Sequence, residues 1–226
     1  MKADELESLP AAAAAIFGAR LDLAQAFATH LASSGVERGL LGPREVERIW
    51  TRHVLNCAVL SELVPAGVRV IDVGSGAGLP GVALALARPD LDLVLVEPLE
   101  RRTTWLAEVV ADLNIQVRVV RARAEDLAGV EQAEVVTARA VAALPKLAGW
   151  GLPLVCPGGS MLAIKGQGAA QELQVARSGL LRSGVVSMDI ALCGVGLLEV
   201  PTTVVRLTVG ADAGRRSKPA LRARRP

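Results

Sequence analysis

Apolar positions recur every three or four residues over 21–33 and again over about 43–63, which is typical of helices that bury one side. This period predicts one helix over residues 21–33 and a second from Pro43 to about Leu63, because proline is favoured in the first turn of a helix. The second helix places four residues along one side: Val46, Ile49, His53 and Leu60. Residues 1–18 show no clear period, and we expect them to be weakly structured.

Short apolar runs then alternate with helical periods as far as residue 210. Strands are predicted at 68–73, 91–96, 115–120, 135–137, 160–165, 185–190 and 204–209. Helices are predicted at 79–87, 100–113, 142–150 and 169–178, with a turn or short helix at 124–127. This alternation indicates parallel pairing, whereas the last two strands have little helix between them and suggest an antiparallel hairpin. The pattern therefore predicts a Rossmann-like α/β fold with a doubly wound, mostly parallel seven-stranded sheet.

The same pattern predicts three parts: an N-terminal helical cap (1–66), a ligand-binding domain (67–210) and a tail (211–226). The tail has one acidic residue, Asp212, against six basic ones: Arg215, Arg216, Lys218, Arg222, Arg224 and Arg225. Because it has no apolar period, we predict that it is disordered. Two interpretations of its charge stay open, a solubilising end and a segment that steers RNA toward the protein.

Composition narrows the class of protein. Hydrophobic residues make up 51% of the chain, which excludes a largely disordered protein. Aromatic residues make up only 2%, which argues against a protein that stacks many bases on aromatic side chains. The net charge of +2 does not by itself identify a binder of polyanions. Three cysteines without a C-x-x-C pair indicate reduced thiols in a cytosolic protein, and two histidines outside any cluster argue against a zinc site.

The chain shows neither a secretion signal nor an obvious membrane span. Acidic residues precede the alanine run at 11–15, where a signal peptide has positive charge. The longest apolar runs are interrupted within ten residues, which is too short to cross a bilayer. We therefore expect a cytoplasmic protein that does not bind membranes.

The most informative segment lies between the first predicted strand and the following helix, and it reads Asp72-Val-Gly74-Ser-Gly76-Ala-Gly78-Leu79-Pro80-Gly81. Glycines allow a sharp turn and a close approach of ligand to backbone, and the helix beyond them offers unpaired N–H groups. Counted from Gly76, the segment matches the G-x-G-x-x-G pattern of dinucleotide binders. However, that register begins too late, because the strand already ends at Val73.

Counted from Gly74, the pattern is G-x-G-x-G with an acidic residue, Asp72, two places ahead. This is the register that methyltransferases use. A carboxylate at Asp72 attracts the positive charges of a sulfonium amino acid and repels a pyrophosphate. The second predicted strand ends in Glu97, which is 97 − 74 = 23 residues beyond Gly74. An acid at about 20 residues hydrogen-bonds ribose hydroxyls in either type of cofactor, so Glu97 indicates an adenosine group without choosing between them.

Four further residues are candidates because of their positions beside predicted strand ends. Ala124 and Glu125 follow the third strand, where an adenine ring would lie, although Glu125 also suits the N-terminus of a short helix. Arg139 and Lys165 end the fourth and fifth strands, at the edge of the sheet where ligands bind. A buried ion pair is the alternative for Arg139. His53 lies beside Arg52 and is either a site residue or an ordinary helix-surface residue.

Several of these motifs together resemble the RsmG (GidB) family of 16S rRNA guanine-N7 methyltransferases. The resemblance rests on residues 70–81, Ala87-Arg-Pro89, Arg52-His53, Arg139-Ala140 and Lys165-Gly166, and it covers roughly residues 44–208. The chain departs from the family pattern at Ala77, at Asn56 and Cys57, and at 36–41, where the family tends to have a W-N-x-x-x-N-L-T stretch.

The resemblance implies S-adenosylmethionine as the cofactor and a guanine N7 near the decoding centre of 16S rRNA as the target. It also implies that Gly74, Leu79, Ala124, Glu125 and Arg139 line the cofactor site, and that loss of the activity is associated with streptomycin resistance. The full candidate set for cofactor binding is Asp72, Gly74, Gly76, Gly78, Leu79, Glu97, Ala124, Glu125 and Arg139. Guanine N7 has a free lone pair, so no general base is required, and His53 and Lys165 are candidates for positioning the substrate.

The expected partner is 16S rRNA or the small ribosomal subunit, with no DNA and no metal, and we expect a monomer. Two alternatives stay open. The first is a methyltransferase of similar fold that acts on a small molecule, which the low aromatic content and the near-neutral charge favour. The second is an NAD(P)-binding oxidoreductase or a noncatalytic nucleotide-binding module, against which the glycine register and Asp72 argue.

Overall fold

A seven-stranded sheet forms the centre of the protein in a computed structural model, which describes residues 7–139 and 142–211. The strands are β1 Arg69–Val73, β2 Asp92–Val96, β3 Val117–Val120, β4 Ala133–Arg139, β5 Val155–Lys165, β6 Val185–Cys193 and β7 Thr202–Val209. Their spatial order is β3-β2-β1-β4-β5-β7-β6, with the first five strands parallel and β7 antiparallel to both of its neighbours. The predicted mostly parallel sheet and its closing antiparallel hairpin are thus confirmed.

Within the described residues, seven α-helices surround the sheet: α1 Ala11–Phe17, α2 Leu21–His30, α3 Leu55–Ala58, α4 Gly81–Ala87, α5 Glu100–Asp112, α6 Leu144–Gly151 and α7 Ala169–Arg182. Tighter 3₁₀ turns lie at Gly18–Arg20, Pro43–Arg48, Val59–Leu63, Ala124–Leu127 and Leu152–Leu154, and wider π turns lie at Leu31–Gly35 and Ile49–Val54. Most predicted elements are present, with ends that differ by a few residues because helix and strand ends depend on tertiary packing.

The sheet is covered on both faces. One apolar cluster joins the N-terminal helices with α4, α5 and the strand residues Val70, Leu93 and Leu95. The other joins α6 and α7 with the alternate strand residues Ile71 and Val94. Successive side chains of a strand point to opposite faces, so the near-continuous apolar runs of β1 and β2 supply both layers.

The N-terminal part differs from the prediction in two respects. Residues 1–18 were expected to be weakly structured, but the alanine run forms α1, in which Ala13 and Phe17 are buried. Alanine is the strongest helix former, and Phe17 supplies the apolar anchor that the short helix needs. The helix predicted over 43–63 is a succession of 3₁₀, π and α turns, although the burial of its predicted side (Val46, Ile49, His53 and Leu60) is confirmed.

A helical stretch over Ala11–Gly35 is long and apolar enough to cross a membrane by length and composition. This differs from the expectation of no such stretch, which considered only uninterrupted apolar runs. In the structure Phe17, Phe27 and Leu31 of this stretch are buried in the protein core. Core helices pass the same test of length and composition, so this single helix is weak evidence for a membrane span.

The helical cap and the sheet share one apolar core. Trp105 of α5 is fully buried, and its Nε1 donates a hydrogen bond to Ser34 Oγ at 2.9 Å. The division into a cap (1–66) and a binding domain (67–210) stays a prediction. The predicted basic tail lies outside the described residues apart from Ala211.

The packing of α1 predicts that Phe17 stabilises the whole protein. We expect Phe17→Ala to lower the free energy of unfolding by about 3–5 kcal/mol, because a buried aromatic ring is lost and a cavity is left. Val175→Ala is the matched control, since Val175 is 72% exposed and its truncation should change stability by less than about 0.5 kcal/mol. Urea denaturation of both variants measures the difference, and equal stabilities would show that α1 is not part of the cooperative core.

Candidate active site

The glycine loop is fixed to the end of the neighbouring strand β2. The N–H groups of Gly74 and Ser75 both donate to Val96 O, at 2.8 and 3.1 Å, and the N–H of Gly76 donates to Glu97 Oε2 at 3.0 Å. Gly74 and Gly76 have φ values of 71° and 52°, which residues with a side chain rarely adopt. The turn at the carboxyl end of β1 therefore depends on glycine and is held by β2.

The third and fourth glycines of the loop serve packing. A Cβ at Gly78 would lie 2.6 Å from Val82 Cγ2, and a Cβ at Gly81 would lie 2.7 Å from Asp72 Oδ2. Glycine at these positions lets α4 begin directly above the sheet. A side chain at Gly78 would therefore meet the core, and the predicted contact of Gly78 with the cofactor stays a prediction.

Asp72 lies beneath this loop and has no exposed surface. Its Oδ2 accepts the N–H of Gly81 at 3.0 Å, and its Oδ1 has no hydrogen-bond partner within the described part of the chain. Burial raises the pKa of Asp72 to about 7. Asp72 therefore supports the loop from below, whereas the sequence prediction had its carboxylate facing the cofactor.

An open crevice of about 540 Å³ lies above the loop, within the range of small-molecule sites. Its lining comprises Leu40, Leu41, His53, Gly74, Ser75, Gly76, Ala77, Leu79, Glu97, Pro98, Leu99, Arg102 and Arg139. The structure therefore brings together six of the predicted site residues: His53, Gly74, Gly76, Leu79, Glu97 and Arg139.

Glu97 connects the loops that follow β1 and β2. Its Oε2 accepts the N–H of Gly76 at 3.0 Å, and its Oε1 accepts the N–H of Leu99 at 3.0 Å. Arg102 Nη1 lies 3.5 Å from the same carboxylate. A carboxylate has about four acceptor sites, so with these three donors bound it can still accept about one hydrogen bond from a ligand in the crevice.

Besides Asp72 and Gly78, three further predicted site residues do not line this crevice. Ala124 is buried and Glu125 is exposed in the 3₁₀ turn Ala124–Leu127. Lys165 Nζ donates to Ala142 O at 2.8 Å and to Glu172 Oε2 at 2.9 Å, and its side chain is only 9% exposed. The ammonium that was expected to position a substrate is therefore engaged in an ion pair between the end of β5 and α7.

His53 and Arg139 form one wall of the crevice. Arg139 Nη2 lies 2.8 Å from His53 Nδ1 and donates to Arg52 O at 3.1 Å, while Nη1 donates to Cys57 Sγ at 3.0 Å. His53 Nε2 lies 2.8 Å from Glu45 Oε2. Burial, followed by the charge of Arg139, lowers the pKa of His53 to about 4. The imidazole is therefore neutral at neutral pH.

Four residues at or beside the crevice were not predicted from the sequence: Glu45, Leu40, Leu41 and Arg102. Glu45 lies eight residues before His53 in a predicted helix, and that spacing gave no signal of contact, because helical neighbours are three or four residues apart. Leu40 and Leu41 come from a predicted loop, and no pattern indicated that it folds over the crevice. Only Arg102 had a usable signal, because it lies in the first turn of the helix after Glu97.

Fold comparison gives the class of protein. An O-methyltransferase family protein from Burkholderia thailandensis matches with a TM-score of 0.57 at 14% identity, over 81% of this chain and 62% of that one. A methyltransferase from Pyrococcus furiosus matches with a TM-score of 0.53 at 15% identity, over 67% of this chain and 80% of that one. The fold is that of the Rossmann-like class I methyltransferases.

Sequence comparison then gives the family. Residues 20–198 match the GidB family model, which describes rRNA small subunit methyltransferase G, and the chain belongs to this family. A ribosomal RNA small subunit methyltransferase G from Renibacterium salmoninarum is 55% identical over 207 residues, which is 91% of this chain and 96% of that protein. The protein of the same name from Rhodococcus jostii is 57% identical, over 87% of this chain and 88% of that one. The predicted family is thus confirmed.

The neutral state of His53 predicts a pH dependence of stability. Its pKa is lowered from 6.5 to about 4 on folding, so between these values the unfolded chain binds a proton that the folded protein does not. The contribution of His53 to stability is therefore full above pH 6.5 and falls as the pH drops toward 4. Asp72 changes stability in the opposite sense over much of this range, because its pKa is raised from 3.8 to about 7.

Comparing the wild type with His53→Asn isolates the contribution of His53 to the pH dependence of stability, because the other titrating groups are common to both proteins. We expect the stability advantage of the wild type over the variant to narrow as the pH is lowered from 6.5 to 4. Denaturant titrations across this range measure it. A constant difference would mean that the histidine titrates alike in the folded and unfolded states.

Proposed function

We propose that this protein transfers the methyl group of S-adenosylmethionine to N7 of a guanine in 16S rRNA, in the loop near the decoding centre. The observation that carries the proposal is the crevice in which the glycine loop after β1 meets Glu97 at the end of β2. Membership of a family described as rRNA small subunit methyltransferase G supports the choice of substrate.

The crevice residues fit this cofactor. A Cβ at Gly76 would meet only Gly74 O, at 3.7 Å, so the loop leaves open space against its backbone. Glu97 offers its remaining acceptor site for a ribose hydroxyl, and Leu79 and Leu99 offer apolar surface for an adenine ring. Arg139 offers N–H donors for a carboxylate. S-adenosylmethionine supplies an electrophilic methyl group on a sulfonium.

The residues of the crevice act by alignment. Guanine N7 attacks through a lone pair in the base plane, so no proton has to be removed first, and orientation of the two reactants supplies the main acceleration. A neutral His53 and the guanidinium of Arg139 form the polar part of the wall. We leave Lys165 out of the reacting centre, because its ammonium pairs with Glu172.

For the partner, we propose 16S rRNA or the small subunit, and therefore a cytoplasmic location, since this RNA lies in the bacterial cytoplasm. The basic residues of the tail remain candidates for phosphate contacts on the basis of sequence alone. The monomeric state stays a prediction.

Substitution of Glu97 tests cofactor binding. In Glu97→Gln the amide keeps one acceptor oxygen but replaces the other with a donor, so Gly76 N–H or Leu99 N–H loses its partner. We expect the binding of S-adenosylhomocysteine to weaken by about 1.5–3 kcal/mol, the range for hydrogen bonds to charged groups. Glu100→Gln is the matched control, since Glu100 is 70% exposed and pairs with Arg121. Equal dissociation constants by calorimetry for wild type and Glu97→Gln would exclude this role.

The reaction itself is tested with radiolabelled S-adenosylmethionine and 16S rRNA or small subunits that lack their own modifications, followed by mapping of the labelled base. Label at a single guanine N7 is expected. Gly76→Val should abolish transfer, because a β-branched residue cannot adopt the φ of 52° and would fill the space beside the loop. Gly149→Ala is the control, since a Cβ there meets nothing within 4 Å. The proposal would be contradicted if the protein bound NAD but not S-adenosylhomocysteine, or if it transferred the methyl group only to a small molecule.

A further inference from the structure

We propose that Glu45 and His53 are positioning residues that hold the guanidinium of Arg139 in one orientation at the wall of the crevice. The proposal rests on the proposed function only where methyl transfer to rRNA is measured. Glu45 orients His53, and His53 orients Arg139, whether or not His53 also contacts RNA.

The contacts form a chain from the cap to the sheet. Glu45 Oε2 lies 2.8 Å from His53 Nε2, and His53 Nδ1 lies 2.8 Å from Arg139 Nη2. His53 is 6% exposed, so water has little access to either contact. Glu45 belongs to the 3₁₀ turn Pro43–Arg48 and His53 to the π turn Ile49–Val54, whereas Arg139 ends β4.

The hydrogen-bond chemistry allows one protonation state of His53. An arginine side chain can only donate, so the Nδ1 that faces Arg139 must be the acceptor. The proton of a neutral imidazole is then on Nε2, where it can be donated to the carboxylate of Glu45. The lowered pKa of His53 agrees with this tautomer, because a doubly protonated ring would face the guanidinium with a donor.

The same guanidinium is held from two further sides. Nη2 also donates to Arg52 O and Nη1 donates to Cys57 Sγ. Within the described residues, three of its five N–H groups therefore have acceptors, which leaves Nε–H and one Nη1–H for a ligand. All three acceptors belong to the cap segment 52–57, so Arg139 takes its orientation from a part of the chain more than 80 positions away.

This arrangement has a consequence for cofactor binding and for the rate of methyl transfer. A free arginine side chain loses rotamer entropy when it binds a ligand, whereas one that is already fixed does not. Fixing the guanidinium before the ligand arrives should therefore improve cofactor binding and alignment, without any contact between Glu45 and the reactants. A purely structural role, in which the network only attaches the cap to the sheet, would instead affect stability alone.

Two substitutions of His53 separate these roles. In His53→Asn the side-chain oxygen can take the place of Nδ1 and accept from Arg139, but the contact with Glu45 is lost. In His53→Gln the longer amide can take the place of Nε2 and donate to Glu45, but the acceptor for Arg139 is lost. Each variant loses one hydrogen bond and the ring, so their losses of stability should be similar, while their effects on Arg139 differ.

We expect His53→Gln to raise KM for S-adenosylmethionine and to lower kcat/KM by about tenfold or more, the effect of losing a hydrogen bond to a charged group. His53→Asn should lose clearly less. Glu45→Ala should reduce kcat/KM and Glu45→Gln should restore part of it, because the amide oxygen can still accept from Nε2–H. Calorimetry with S-adenosylhomocysteine should give the same ranking, and thermal unfolding should not follow it.

His30→Gln is the matched control, because His30 Nε2 also contacts a carboxylate, Asp112 Oδ2 at 2.7 Å, and His30 is absent from the crevice lining. It should leave kinetics and binding unchanged. Equal kinetic losses in the two His53 variants, or losses that follow stability alone, would overturn the proposal.

A second measurement does not depend on the substrate. Nitrogen-15 NMR of labelled histidine at pH 7 should report a neutral His53 with the proton on Nε2, and Glu45→Ala should weaken that preference. A proton on Nδ1, or a charged ring, would overturn the proposal even in an active enzyme. If the wild type methylates no rRNA while NMR and binding of S-adenosylhomocysteine follow the expected pattern, the proposed substrate fails and the positioning network stands.

Discussion

The N–H groups of the glycine loop impose the constraint on which the crevice depends. A turn that leaves β1 with positive φ values directs successive N–H groups away from any partner within its own strand, and buried donors need acceptors. The adjacent strand provides them: Val96 O accepts from Gly74 and Ser75, and Glu97 accepts from Gly76. The loops after β1 and β2 are therefore fixed relative to each other, and the crevice above them has a defined shape before any ligand arrives.

This shape is achieved at some cost in stability. Asp72 is fully buried beneath the loop, and one of its carboxylate oxygens has no partner among the residues that the structure describes. Burial raises its pKa to about 7, so the folded state disfavours its charge. A carboxylate is nevertheless suited to the position, because Oδ2 accepts the N–H of Gly81 where α4 begins. Unfavourable groups of this kind concentrate at functional sites, where the surrounding core holds them in place.

The cap completes the crevice as well as covering the sheet. It supplies Leu40, Leu41 and His53 to the lining, and it supplies the acceptors that orient Arg139. The π turn Ile49–Val54 contains both His53 and Arg52, whose carbonyl oxygen reaches the same guanidinium nitrogen. Turns of this type are rare and occur often at functional sites, which agrees with the position of this one against the crevice.

The sequence by itself determined the elements from β1 onward and the class of site, because strand and helix periods, the G-x-G-x-G register and the acid after β2 are local features that a chain carries wherever it folds. Only the tertiary structure decided which of the predicted site residues line the crevice. Asp72 and Gly78 belong to the same motif as Gly74 and Gly76. However, Asp72 lies beneath the loop and Gly78 lies against the core, because the packing of α4 on the sheet decides which way each residue faces. Likewise, Lys165 and Arg139 both end strands, but their neighbours differ. Lys165 forms an ion pair with Glu172, whereas Arg139 contacts His53 and forms part of the crevice wall.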